Sequence, residues 1–339
     1  MSARASILPV FVPHLGCPHA CVFCNQRRIS GEMEPADANT VRSILASAAA
    51  MPKPESGRQL AFYGGSFTAI PEEKQLELLS AAQEGIERGI IDSIRLSTRP
   101  DAIDDEVLTC LRRFGVETVE LGAQSLDDEV LRWSGRGHTA DDVRRASRLI
   151  KAAGFRLVLQ MMTGLPGDSG EQSLATAREI IELHPDGVRI YPTVIVRDTA
   201  LYELWQRGAY REHTVEDAVQ ICAKLLPLFE KAGIPVLRLG LNPTEELSGG
   251  AAVAGAYHPA LGELVRARIM LERAENLLRG VEPGSRVVLA VQPRLLSQML
   301  GQRRRNVSAL IDEFRLAELK VCPNSSISAE IEVLSIEKP

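Results

Sequence analysis

The chain has 339 residues, of which 45% are hydrophobic and 24% charged, with a formal net charge of −5. Those proportions are those of a globular protein with ample core. They exclude a globally basic nucleic-acid binder, and fifteen aromatic side chains (eight Phe, five Tyr, two Trp) are too few for an extended base-stacking platform.

The N-terminus MSARASILPVFVPHLGC carries a short apolar stretch interrupted by Pro9, without the apolar core and cleavage site of a signal peptide, and no run of eighteen apolar residues follows. A cytoplasmic protein without membrane spans is the expectation. From residue 7 onward, β-rich runs alternate with amphipathic ones. Strands are expected at 7–13, 58–64, 91–97, 116–122, 155–161 and 186–192. Helices are expected near 38–50, 71–89, 103–114, 140–153, 169–183 and 214–232. Pro71 reads as a first-turn proline, Asp104-Asp105-Glu106 as a helix start, and Gly154 and Gly233 as helix ends. Six β-then-α units imply an α/β fold, a parallel sheet curved into a partial (β/α)6 barrel. The strands read as mostly apolar on both faces.

Residues 241–259, rich in Gly, Ala and Pro, read as a lid loop, followed by a helix near 260–280. The remainder reads as strand (285–291), helix (294–317) and strand (327–336), a small α+β unit. The expected organisation is therefore 1–240 for the barrel, 241–280 for lid and connector, and 281–339 for the C-terminal unit. Within that last helix Gln302-Arg303-Arg304-Arg305-Asn306 is a local basic cluster, able to contact phosphates or to form a solvated face.

Three of the six cysteines, Cys17, Cys21 and Cys24, fall in a C-x3-C-x2-C spacing just after the first strand. Three thiolates in one loop can ligate three irons of a cubane and leave the fourth open for a substrate. A zinc site completed by His14 or His19 is the alternative, and a ferredoxin-type cluster would want a fourth cysteine nearby.

The loop HLGCPHACVFCNQ after a first strand resembles the radical S-adenosylmethionine (AdoMet) superfamily. The resemblance implies a 4Fe-4S cluster held by Cys17, Cys21 and Cys24, with AdoMet on the open iron. It also implies reductive cleavage of AdoMet to a 5′-deoxyadenosyl radical that abstracts hydrogen from the substrate, and a flavodoxin or ferredoxin as electron donor. Phe23 matches the aromatic near the adenine. Tyr63-Gly64-Gly65-Ser66-Phe67-Thr68 ends the second strand and resembles the glycine pair that meets the AdoMet amino group. Ser97 and Arg99 in STRPD, Gln124 in GAQS, Gln160, and Gly164 in GLPG end strands three to five and are further cofactor candidates. Gln160 stands where related branches often carry an acid. Tyr191 on strand six and His258 beyond the lid are candidate catalytic groups, and His138 reads as a structural turn residue.

Over about residues 7–240, GGSFT, STRPD, LGAQS, RGHT, GLPG and IYPTVIVRDTALYELWQRGAY resemble the radical-AdoMet domain of the Elongator catalytic subunit. That likeness implies a transfer RNA or nucleoside substrate. The acetyltransferase domain of that subunit is not expected in the residues after His258. Oxygen-independent coproporphyrinogen III oxidase, acting on a tetrapyrrole, is the second resemblance, and a non-catalytic cluster-binding protein the third reading. Oligomeric state has no signature.

Overall fold

In the computed structural model, which describes residues 5–339, all six expected strands form. In chain order the first elements are β1 (Ser6–Phe11), α1 (Gln26–Ser30), α2 (Ala38–Ala49), β2 (Arg58–Tyr63), α3 (Glu72–Glu87), β3 (Ser93–Thr98) and α4 (Asp105–Arg113). They are followed by β4 (Val116–Gln124), α5 (Asp128–Trp133), α6 (Ala140–Ala152), β5 (Arg156–Thr163), α7 (Gly170–Glu182) and β6 (Gly187–Pro192). Next come β7 (Val194–Val196), α8 (Ala200–Gln206), α9 (Val215–Lys231), β8 (Val236–Leu239) and β9 (Ala252–Gly255).

Polar caps set the helix starts. Asp37, Asp104, Asp127, Thr139 and Ser169 each accept a first-turn N–H with the side chain, and Thr139 forms a reciprocal box with Asp142. Pro71 sits one residue before α3 rather than inside it.

Seven strands form one parallel sheet, ordered β1-β2-β3-β4-β5-β6-β8, curled into a half-barrel. The seventh, β8, was not expected: four residues after a helix end are too few to carry a period. One face of the sheet is apolar. Leu60, Phe62, Ile94, Leu96, Val119, Leu121, Leu157, Leu159, Val188 and Ile190 have no exposed surface. Burying one such side chain contributes roughly 1.5–3 kcal/mol. The opposite face corrects the expectation of strands apolar on both sides. It carries Gln59, Tyr63, Ser93, Arg95, Glu120, Arg189 and Tyr191, which bond to one another, and Gln160, which bonds to Gln124.

The expected lid is built structure. β9 pairs antiparallel with β7, Val194 opposite Gly255, and residues 247–251 form one helical turn. Val194, Val196, Leu247 and Ala251 bury a small core there, packed by Ile29 and Tyr257.

The chain divides into two compact units, one running to Thr214 and resuming over Leu225–Tyr257, the other made of Val215–Lys224 and His258–Pro339. The expected boundaries at 240 and 280 thus differ from the observed division. The second unit contains α10 (Leu261–Leu278), β10 (Arg286–Val291), α11 (Leu296–Leu300), α12 (Arg305–Phe314), β11 (Glu318–Pro323) and β12 (Ile331–Glu337). β10 is central, parallel to β11 and antiparallel to β12. Met270, Leu278, Leu289, Met299, Leu310 and Ile331 lie in its core. The single helix expected over 294–317 is broken. Gly301, Arg303 and Arg304 take φ of 67°, 52° and 61°, so the arginine cluster lies at a corner between helices rather than along one.

Candidate active site

The cysteine loop leaves β1 and is laced to the end of β2. The Val12 N–H donates to Tyr63 O at 2.8 Å, His14 N–H to Gly64 O at 2.9 Å, and Ser66 N–H to Leu15 O at 2.8 Å. Two glycines make that fit possible. A Cβ on Gly65 would lie 2.4 Å from Leu15 O and 2.5 Å from Val12 O, and one on Gly16 2.2 Å from Ser66 O. All three obstacles are backbone atoms. The Gly64-Gly65 turn and the cysteine loop are therefore mutually seated, with no room for any side chain between them.

Each sulfur meets a polar group. Cys17 Sγ lies 3.9 Å from Ser66 Oγ, Arg136 Nη1 donates to Cys21 Sγ at 3.2 Å, and Gln26 Nε2 donates to Cys24 Sγ at 3.4 Å. Burial, then the neighbouring Cys21, pushes the Cys24 thiol up to about 12. A bound cation reverses that preference, since a metal-coordinating thiol is deprotonated outright. Among the described residues no three His, Cys, Asp or Glu side chains converge on one ion. A cubane gives each of three thiolates its own iron and leaves the fourth iron open. Of the histidines of the zinc alternative, His14 Nε2 accepts the Gln26 N–H at 3.0 Å, and the exposed His19 ring lies against Gly137. The donor set fits a cluster.

Around this loop stand the ends of β3, β4 and β5. Arg136 also donates Nη2 to Gly122 O at 2.6 Å, and its buried Nε has no partner among the described residues. Gln124 ends β4 with φ 66°, buried, and its Oε1 accepts Gln160 Nε2 at 3.2 Å. A side chain in that left-handed backbone is strained, as is frequent at functional sites. Ser97 is half-buried on β3. Arg99 is not available to a ligand: it is 3% exposed, its Nε and Nη2 are bound to Asp101, and its Nη2 also holds Arg136 O at 2.9 Å. Phe23 packs against the cluster of Val130, Met162 and Leu165, as Tyr191 also does, and against that of Ile195, Leu201 and Tyr210. Gly164 is walled in. Its N–H donates to Asp168 Oδ2 at 2.8 Å, its carbonyl accepts the Tyr210 hydroxyl, and the His213 ring occupies the place of a Cβ. His138 is buried with Nε2 3.2 Å from Ala123 O, and desolvation, then Arg136, lowers it to about 4. His258 lies in the second unit, where Nδ1 accepts the Ala260 N–H at the start of α10.

Comparison with known families now decides the class. Residues 11–180 match the family described as the Radical SAM superfamily, and residues 185–271 the Radical_SAM C-terminal domain. The chain belongs to the radical SAM superfamily. It is an enzyme of that superfamily, whose members bind a 4Fe-4S cluster and AdoMet. It is 32% identical over 173 residues to a tRNA uridine(34) acetyltransferase of Methanocaldococcus jannaschii, covering 50% of this chain and 31% of that protein. It is 30% identical over 226 residues to human Elongator complex protein 3, covering 61% and 40%. The structure of archaeal Methanocaldococcus infernus Elp3 with an N-terminal deletion shares the fold, with TM-score 0.63, 23% identity, and coverage of 84% of this chain and 67% of that one. The chain thus spans about a third to two fifths of the curated relatives it matches.

Inside this radical SAM half-barrel lies a network that sequence reading missed. Glu120 accepts Arg95 Nη1 at 2.8 Å, Arg189 Nε at 2.7 Å and the Tyr63 hydroxyl at 2.9 Å. Arg189 also reaches Tyr63 Oη at 3.0 Å and Tyr191 Oη at 3.5 Å. Burial alone would lower the Arg189 pKa, but the Glu120 carboxylate outweighs it and the group is held above its ordinary value. Burial, with Glu120 nearby, raises Tyr63. The signal was present as a charge flanked by two apolar residues on each of three strands: Arg95 in SIRLS, Glu120 in TVEL, Arg189 in GVRIY. Arg136 was visible only as part of a turn before a helix.

Proposed function

We propose that Cys17, Cys21 and Cys24 ligate the cluster, that AdoMet lies over the ends of β2 to β5, and that the substrate is a nucleoside within a transfer RNA. The observation that carries the reading is the loop itself: three thiols, each beside a polar partner, locked by backbone bonds onto the Gly64-Gly65 turn. When bound, the cluster and AdoMet supply one-electron cleavage of a sulfonium and abstraction of a hydrogen atom. The protein's own groups bind and orient. Arg136, a guanidinium 3.2 Å from the Cys21 sulfur, is placed to receive the AdoMet carboxylate. Backbone groups of Gly64–Ser66 serve the amino group. Gln124 and Gln160, bonded to each other, offer amides beside the ribose, with Ser97. Phe23 and the Gly164 segment form the apolar wall for the adenine. Tyr191, held by Arg189, lies on the inner face where a substrate would enter, and is the group assigned to hydrogen or proton transfer.

The transfer RNA assignment rests on the relatives, one named a tRNA uridine(34) acetyltransferase and another Elongator complex protein 3. The chamber argues against a tetrapyrrole. Both inward arginines of the central network, Arg95 and Arg189, are bound to Glu120, which leaves neither free for propionates. A flavodoxin or ferredoxin serves as electron donor. Anaerobic reconstitution with iron and sulfide, followed by AdoMet, dithionite and total transfer RNA, tests the reading. Formation of 5′-deoxyadenosine together with a mass change in the nucleoside digest is expected; tetrapyrrole turnover with no RNA product would contradict it.

A further inference from the structure

Arg303, Arg304 and Arg305 stand exposed at the corner between α11 and α12 in the second unit. Two features set them apart from a solvated charge run. Arg303 and Arg304 both have left-handed backbone, a conformation that favours Gly or Asn and disfavours a long side chain. And no side-chain hydrogen bond or ion pair compensates any of the three among the described residues, whereas arginines such as Arg42 and Arg144 are matched to Glu84 and Glu179.

The corner is fixed from beneath. Asn306, 6% exposed, donates Nδ2 to Ala267 O at 2.8 Å and to Gln298 O at 3.2 Å. Gly301 N–H donates to Ser297 O at 3.0 Å, and Arg304 N–H to Gly301 O at 3.2 Å. Consecutive left-handed residues on this anchor place the three arginines at one exposed corner of the chain rather than along a regular helix. Three like charges adjacent in sequence thus stand without a carboxylate partner, in a chain whose net charge is −5. A ligand that repeats its negative charge at short intervals supplies that partner and releases counterions as it binds.

We propose that Arg303, Arg304 and Arg305 form a phosphate-binding corner that grips the backbone of an RNA. The inference rests on the RNA reading of the substrate, which favours a phosphodiester over an acidic peptide, and extends it to a docking surface. Such a contact positions the RNA and is blind to its sequence.

The test uses the full-length protein and fluorescence anisotropy with labelled, unmodified transfer RNA transcripts across a salt series. The variant Arg303→Asn/Arg304→Asn/Arg305→Gln removes the charges and relieves the left-handed backbone, so it should fold at least as well. Expected is a loss of affinity of at least about tenfold at low salt. The plot of log K against log salt should become shallower by about two to three, roughly one per lost phosphate contact. A charge-matched variant on paired arginines, Arg42→Gln/Arg132→Gln/Arg144→Gln, should keep both affinity and slope. Unchanged binding in the corner variant, or an equal loss in the matched one, overturns the proposal. Displacement of the RNA by polyglutamate at equal charge concentration overturns the assignment to RNA in favour of an acidic protein. AdoMet cleavage without RNA is measured alongside. Its absence in wild type and variant alike strikes the proposed function, whereas the binding data decide the corner by themselves.

Discussion

Arg136 points a guanidinium nitrogen at the sulfur of Cys21, 3.2 Å away, while its second nitrogen holds the carbonyl of Gly122 at 2.6 Å. A cation is thereby fixed at the edge of the cysteine loop by the end of β4, and Arg99 holds its backbone from behind. Arg136→Gln keeps a donor but removes the charge. Charge-assisted bonds are worth roughly 1.5–3 kcal/mol, so AdoMet affinity should fall by about tenfold to a hundredfold. Equilibrium binding to the reconstituted protein checks this, and unchanged affinity would remove Arg136 from the site.

Gly65→Ala places a Cβ within 2.5 Å of two backbone oxygens of the cysteine loop. The loop must move, and iron content after reconstitution should drop well below the wild-type value, with a stability loss of about 1–3 kcal/mol. Gly249→Ala, where a Cβ meets nothing within 4 Å, is the control and should retain iron. Retention by both variants would mean that the glycine does not seat the loop.

Glu120 is 3% exposed and neutralises two largely buried arginines at once. Glu120→Gln leaves Arg95 and Arg189 without a counter-charge, a change that typically costs about 3–5 kcal/mol. Urea denaturation measures it. A loss below about 1 kcal/mol would show that water already compensates these arginines.

His138 is buried neutral, with its pKa lowered to about 4 from an unfolded value near 6.5. Below pH 6.5 the unfolded chain binds a proton that the folded chain refuses, so stability falls as pH drops from 6.5 towards 4. The full difference is about 3 kcal/mol, and above pH 6.5 the group has no effect. His138→Gln should flatten that part of the stability profile; an unaltered slope would place the acid sensitivity elsewhere.

The strands β1 to β6 were legible because each has six or more residues with apolar positions in register, bounded by polar helix caps. β8, with four residues, and the short pair β7 and β9 were not, because their pairing is decided by tertiary contact and not by local period. Likewise β11, with Glu318 and Lys320 at exposed positions, fell between the helix expected to end at 317 and the strand expected from 327. In the site, the cysteine spacing, its place after the first strand and the βα alternation together pointed to the superfamily to which the chain belongs. Gly64 and Gly65 were recognised as a ligand turn, yet their packing against Leu15 and Val12 could only come from three dimensions. Sequence does not reveal that Asp101, two residues on, holds Arg99. Glu120 and Arg136 were missed because their partners lie on other strands and in the cysteine loop.

The most direct test is the cysteine loop itself. Wild-type protein and Cys21→Ala are purified without oxygen, reconstituted with iron and sulfide, and given AdoMet and dithionite, with 5′-deoxyadenosine read by mass spectrometry. Wild-type protein should carry about four irons per chain and form the nucleoside, and Cys21→Ala should form none. Equal product from the variant, or a wild-type chain that binds zinc in place of iron, would contradict the assignment of Cys17, Cys21 and Cys24 to the cluster.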